Sequence, residues 1–131
     1  MKLFQKTPLQ PVDPDHFTGD VLAGIVLEAN QDDGVRVYKV TFPPGGRTAW
    51  HLHTGVQLLF VEEGRGLVQK EGQAVLEIGP GDAVHIAPGE KHWHGACPEE
   101  SMSHLAVNLG GSAEWMEKVT EEEYPRSSQT G

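Results

Sequence analysis

The sequence predicts an all-β fold in which short antiparallel strands close into a sandwich or barrel. Sixteen glycines and nine prolines supply frequent turns along 131 residues. Between them, Val-rich runs of strand length recur at even spacing. A chain of this length suffices for one domain with a real core and is too short for two ordinary domains. We therefore expect a single domain over residues 16–124, with an arm over residues 1–15 and a disordered tail over residues 125–131.

The arm is predicted to be extended rather than helical. Pro8, Pro11 and Pro14 fall within it, and each proline removes a backbone donor and restricts the residue before it. An extended arm of this kind needs a surface to lie on. We expect a homodimer, the commonest closed symmetry, with the arm crossing to the partner.

The strands of the domain are indicated by apolar runs that end at turn residues. Residues 35–42 alternate apolar and polar side chains, which is the period of a half-buried strand, and Pro43-Pro-Gly-Gly46 ends it. Similar reasoning places strands at residues 21–27, 58–61, 67–70, 74–78, 83–86, 92–95 and 101–107.

A short C-terminal helix is predicted over residues 112–124. Ser112 could cap it, and Trp115, Met116 and Val119 form a short apolar stripe at helical spacing. The residues after Pro125 are expected to be disordered.

Charge and cysteine content narrow the classes of partner. Nineteen acidic and ten basic side chains give a formal charge of −9, which disfavours nucleic acid and anionic membranes as partners. The single cysteine cannot form an internal disulfide. The first residues lack the apolar run of a leader, and no run reaches membrane-spanning length. These features predict a cytoplasmic protein without a nucleic-acid or membrane partner; the partner we expect is a small-molecule substrate at the site described next.

Two His-x-His segments predict a metal site. Residues two apart on a strand share a face, so His51 and His53 point the same way, and Gln57 keeps that parity if the strand resumes in register. Imidazole suits Zn, Fe, Ni, Mn or Cu. We expect His92 as the third histidine ligand, because the turn before it sets its strand in register. His94 shares its face and could be a ligand, a partner of a ligand or a rim residue.

His104 is the candidate general base. It stands among apolar neighbours on its predicted strand and shares a face with Met102 and Ala106. A histidine close to a bound cation stays neutral near pH 7 and can accept a proton. The alternative is a core histidine whose hydrogen bonds are satisfied.

The remaining histidines and the cysteine are interpreted as structural. His16 and His85 are expected to be structural or exposed, since His85 has the opposite parity to Val84 and Ile86. Cys97 is interpreted as a small loop residue, because nothing near it in sequence indicates a lowered thiol pKa.

The two histidine segments resemble the two sequence motifs of the cupin superfamily. The first motif is a glycine, five residues, His-x-His, three or four residues, a glutamate, six residues and a glycine. The matching positions are Gly45, His51, His53, position 57 and Gly64 for the first motif, and Gly81-Asp82, Pro88-Gly89 and His92 for the second. The resemblance implies an antiparallel jelly-roll barrel of six to eight strands with a metal inside. The chain departs from the usual motifs at Gln57, where most cupins have glutamate, and at Ala96, where asparagine is frequent.

The first motif with glutamine at position 57 is similar to the motif of the small bacterial manganese cupins, which include the cupin hydroxynitrile lyases. This resemblance extends over about residues 16–124, and it is carried by Phe17-Thr-Gly19, Arg47-Thr-Ala-Trp-His-x-His53, Gln57, the segment Pro88 to Ala96, Met102-Ser-His-Leu-Ala106 and Trp115-Met-Glu-x-Val-Thr. It implies metal ligands at His51, His53, Gln57 and His92 and a catalytic histidine at His104. Thr54-Gly-Val56 departs from those lyases, which carry proline early in this segment and glycine just before the glutamine.

The resemblance implies a lyase that binds Mn²⁺ or another divalent ion (Fe, Ni or Zn) and cleaves or forms cyanohydrins. With an amide at position 57 the cation keeps both charges, which attracts an anionic ligand. Two alternatives stay open from the sequence, because one barrel hosts many reactions. They are an iron-dependent dioxygenase and a metal-dependent binding protein without catalysis.

Overall fold

The computed structural model describes residues 1–125, and all regular secondary structure in this range is β-strand. The strands are β1 (Gln10–Pro11), β2 (Phe17–Thr18), β3 (Leu22–Ala29), β4 (Val35–Phe42), β5 (Arg47–Thr48), β6 (His51–His53), β7 (Val56–Gly64), β8 (Gly66–Lys70), β9 (Leu76–Ile78), β10 (Ala83–Ile86), β11 (His92–Ala96), β12 (Met102–Leu109) and β13 (Ala113–Trp115).

The strands form two curled antiparallel sheets that close into a jelly-roll barrel. The first sheet has the order β1-β3-β4-β12-β7-β10. The second has the order β13-β6-β11-β5-β2, with β8 paired to both β11 and β9. The predicted all-β barrel is confirmed.

The main core lies between the two sheets. Val40, Phe42 and Val61 from the first sheet pack with Val68 and Ala96 from the second, and all are at most 7% exposed. In the second half of β4 the predicted alternation has this cause, because Val40 and Phe42 enter the core while Lys39 and Thr41 lie on the other face.

The predicted C-terminal helix is wrong. Residues 113–115 form β13, which pairs with β6 so that Trp115 lies opposite His51. The Trp115 ring stacks on His51 with centroids 4.5 Å apart. The helical stripe was only three apolar residues long, and strand pairing with tertiary contacts overrode this weak local preference.

The segment after β13 covers the outside of the second sheet. Val119 and Tyr124 are buried against Trp50, Leu67 and Trp93. The Tyr124 hydroxyl donates to the carbonyl of Ala96 at 2.6 Å. These two side chains anchor a segment that forms no helix.

The N-terminal arm lies along its own barrel. The amide of Thr7 donates to the carbonyl of Ile25 and that of Val12 to Val21, and β1 pairs with β3. Within the described residues, no helix has the length and hydropathy needed to cross a membrane. Residues 126–131, where most of the predicted tail falls, lie outside the described range.

Candidate metal centre

The structure brings His51, His53 and His92 together inside the barrel. His51 and His53 share one face of β6, and His92 of β11 is the direct cross-strand partner of His51. One ring nitrogen from each lies within 4.8 Å of the others. All three side chains are buried, with exposed fractions of 1%, 8% and 1%. Three imidazoles in this arrangement are a ligand set for a transition metal.

Backbone carbonyls fix how these rings are protonated. His51 Nδ1 lies 2.9 Å from the carbonyl of Ala49, and His92 Nδ1 lies 2.8 Å from that of Glu90. A carbonyl can only accept, so each Nδ1 carries the proton and each Nε2 keeps a lone pair. His53 Nε2 is buried without a hydrogen-bond partner. The cluster therefore presents lone pairs that nothing in residues 1–125 satisfies.

Gln57 completes the set from β7. Its side-chain amide donates to Asn108 Oδ1 at 3.0 Å, which orients Gln57 Oε1 toward His92 Nε2 at 3.1 Å. Both of these facing atoms are acceptors, because the His92 proton is on Nδ1. Two buried lone pairs at this distance repel unless a cation lies between them. The residues present therefore fit a divalent metal held by three imidazoles and one amide oxygen.

The cluster is uncharged near neutral pH. Burial lowers the pKa of His51 well below its ordinary value and that of His53 to about 4, with the neighbouring His92 adding to each shift. Burial also lowers the pKa of His92. Neutral imidazoles compete less with a metal for protons, which favours metal binding at pH 7.

His104 lies behind His94, at the back of the site. His104 is 0% exposed, and its Nε2 lies 3.0 Å from His94 Nδ1. His94 lines a cavity that opens beside the histidine cluster, whereas His104 does not. Burial lowers the pKa of His104 to about 4 and that of His94 well below its ordinary value. His94 Nε2 and His104 Nδ1 are buried without partners.

A cavity of about 300 Å³ opens beside the histidines. Its apolar wall includes Phe17, Tyr38 and Trp115, and its polar wall includes Arg36 and Asn108. Sequence reasoning missed all five residues. The parity of β4 could have placed Arg36 and Tyr38 inside, since they share a face with the core residue Val40.

The other histidines and the cysteine lie outside the cluster. His16 stacks on Trp115 with ring centroids 4.5 Å apart, and His85 is exposed on β10. Burial raises the pKa of the Cys97 thiol, which is the opposite of what an activated nucleophile needs.

Comparison with known proteins gives matches over most of the chain. The family described as "Cupin domain" matches residues 38–108. The (R)-mandelonitrile lyase of Granulicella tundricola is 51% identical over 115 residues, which cover 86% of this chain and 88% of the lyase. A cupin-like protein of Thermotoga maritima has a solved structure with a TM-score of 0.85 at 38% identity, and 95% of each chain is covered. The polyketide cyclase RemF of Streptomyces resistomycificus shares the fold at a TM-score of 0.73 and 20% identity, over 95% of this chain and 90% of the cyclase.

Proposed function

The chain belongs to the cupin domain family, and from this premise we propose that it is a metal-dependent lyase that cleaves and forms cyanohydrins, with Mn²⁺ favoured. The choice of chemistry depends on one observation, the 51% identity with a mandelonitrile lyase over most of both chains. The histidine cluster beside a cavity with aromatic walls supports it.

The proposed ligands are His51, His53, Gln57 and His92. Because all four are neutral, a divalent ion there would keep both positive charges and would stabilise an anion such as cyanide. Asn108 assists by holding the Gln57 amide in the orientation that presents its oxygen.

His104 is the proposed base, and it acts through His94. The substrate hydroxyl gives its proton to His94 Nε2, while His94 Nδ1 gives its proton to His104 Nε2, 3.0 Å away. This transfer requires the tautomer in which His94 Nδ1 donates to His104. Both rings start neutral, so the pair can take up one proton.

The proton transfer accompanies cleavage of one carbon–carbon bond. As the hydroxyl proton leaves, the O–H electron pair forms the carbonyl bond of the aldehyde. The electron pair of the bond to the nitrile carbon leaves with cyanide. In the direction of synthesis, the pair of histidines returns the proton to the oxygen as cyanide attacks.

The proposal predicts turnover of mandelonitrile by the manganese-loaded protein, followed as the absorbance of released benzaldehyde. Replacement of His104 by alanine should lower kcat by about 10²- to 10⁴-fold, the usual contribution of a general base. The matched control is His85→Ala, which removes an exposed histidine outside the site and should leave kcat unchanged.

Three outcomes would contradict parts of the proposal. Equal values of kcat for wild type and His104→Ala would show that His104 is not the general base. Oxygen consumption by the iron-loaded protein, without cyanohydrin turnover, would favour a dioxygenase. Metal binding without turnover of any cyanohydrin would favour the alternative of a metal-dependent binding protein without catalysis.

A further inference from the structure

Arg36 lines the same cavity as His51 and His53, two strands away from Gln57 in the first sheet. Gln57, Asn108 and Arg36 are successive cross-strand partners on β7, β12 and β4. Neighbouring strands are about 4.8 Å apart, so the backbone of Arg36 lies roughly 10 Å from that of Gln57. A small molecule within the cavity could therefore contact both ends of this row.

The Arg36 guanidinium is positioned by backbone atoms. Its Nη2 donates to the carbonyls of Gly110 and Gly111, each at 3.1 Å. Both glycines have positive φ, 71° and 70°, which side-chain-bearing residues rarely adopt. Two hydrogen bonds from one nitrogen hold the group in place and leave the other guanidinium nitrogens for a ligand.

Arg36 forms no salt bridge with a carboxylate of residues 1–125. The other arginines in this range do so, Arg47 with Glu121 and Arg65 with Glu77. The cross-strand neighbour of Arg36 is Glu28, whose carboxylate instead accepts a hydrogen bond from the Tyr38 hydroxyl. A chain of net charge −9 thus leaves one cavity arginine without a carboxylate partner in the described residues.

The cavity wall contains no aspartate or glutamate from the described residues. Among the lining residues, Arg36 is the one permanently charged side chain in the described part of the chain. We propose that Arg36 anchors an anionic ligand and that the cavity takes small molecules that carry a carboxylate at the end remote from the histidine cluster. A guanidinium is suited to this role because its planar N–H groups match a carboxylate.

For the substrate, this inference rests on the proposed lyase function. It implies that the enzyme prefers aldehydes and cyanohydrins that carry a carboxylate at the end away from the reacting carbon. Neutral aldehydes and cyanohydrins of equal size should be poorer substrates. The ring walls of Phe17, Tyr38 and Trp115 fit an aromatic body between the two ends.

The test compares an anion with its neutral analogue on the manganese-loaded full chain. Titration calorimetry with 4-fluorobenzoate and 4-fluorobenzamide should show preferential binding of the benzoate by the wild type. Arg36→Gln should weaken benzoate binding by about 10- to 100-fold, as expected for loss of a charge-assisted hydrogen bond, and should leave benzamide binding unchanged. Arg65→Gln is the matched control, because it removes an arginine outside the cavity.

A second measurement needs no variant. In zinc-loaded wild type, which is diamagnetic, the Nε–H resonance of Arg36 should shift on addition of 4-fluorobenzoate and stay in place with the benzamide. An unmoved resonance, or equal benzoate affinity in wild type and Arg36→Gln, would overturn the inference. Benzoate binding that depends on Arg36 without any cyanohydrin turnover would refute the lyase function and leave the anion site standing.

Discussion

Gln57 sets the net charge of the candidate centre. With three neutral imidazoles and an amide, a divalent ion would keep two positive charges, whereas a carboxylate at this position would leave one. The Gln57 side chain is 3% exposed and is oriented by Asn108, so the oxygen of a glutamate would occupy nearly the same place. As a ligand, the amide would thus favour anion binding at the cost of metal affinity.

Replacement of Gln57 by glutamate should therefore strengthen metal binding and weaken anion binding. We expect azide affinity of the cobalt-loaded protein to fall by about tenfold or more, since a negative charge beside the ion would weaken azide binding by at least about 1.4 kcal/mol. The visible spectrum of Co²⁺ during azide titration measures this.

A control variant with the same charge change on the surface distinguishes an effect at the metal site from an effect of the protein's net charge. Gln73 is exposed, so Gln73→Glu should leave azide affinity unchanged. Equal azide affinity in wild type and Gln57→Glu would place Gln57 outside the ligand set.

At the scale of the strands, local sequence patterns predicted where strands lie and which side chains share a face. The alternation of residues 35–42 coincides with β4. The two-residue spacing of His51 and His53 places both rings on the buried face of β6. In each case a side-chain period of two fixes the face once the segment is extended.

Contacts between distant strands could not be predicted in this way. Trp115 lies opposite His51 only because β13 pairs with β6, and no local pattern marks that pairing. His94 and His104 meet although β11 and β12 belong to different sheets. Such contacts depend on how the sheets curl and close, which is a property of the whole chain.

For the whole molecule, five buried histidines with lowered pKa values predict loss of stability in acid. An unfolded histidine takes a proton near pH 6.5, whereas His53 and His104 in the folded chain do so only near pH 4. Below pH 6.5 the unfolded chain binds more protons, so the free energy of unfolding falls as pH falls. The contribution of His104 is present above pH 6.5 and is lost between pH 6.5 and 4, a change of roughly 3 kcal/mol.

Urea unfolding of the metal-free protein at pH 7.5, 6.0 and 5.0 should show this decline. His104→Gln cannot take up the proton and should show a shallower dependence on pH. His85→Gln removes an exposed histidine and should follow the wild type. Parallel pH profiles for wild type and His104→Gln would contradict the assignment of His104 as a buried neutral group.

The outward face of the first sheet supports our proposal of a homodimer. Leu58 and Phe60 of β7 lie beside Val107 and Leu105 of β12 on this face, opposite to the buried side chains of the same strands. Phe60 is 41% exposed. A face four strands wide and eight residues long covers about 500 Å², which is of the order that each partner buries in a standard interface, about 800 Å². The face also carries Lys39, which lies beside Leu105 and pairs with Glu62. A second copy brings an identical face, so a two-fold axis would place the same residues of both copies in contact.

Sedimentation should accordingly give a dimer for the wild type and a monomer for Phe60→Glu, because burial of two unpaired carboxylates at a two-fold interface is costly. Leu76→Glu provides the control, since Leu76 is 63% exposed on β9 of the other sheet and its replacement should leave the dimer intact. A wild-type monomer would refute the dimer. A dimer that survives Phe60→Glu would shift the interface to another surface, of which the arm is the next candidate because Leu3 and Leu9 are 89% and 40% exposed.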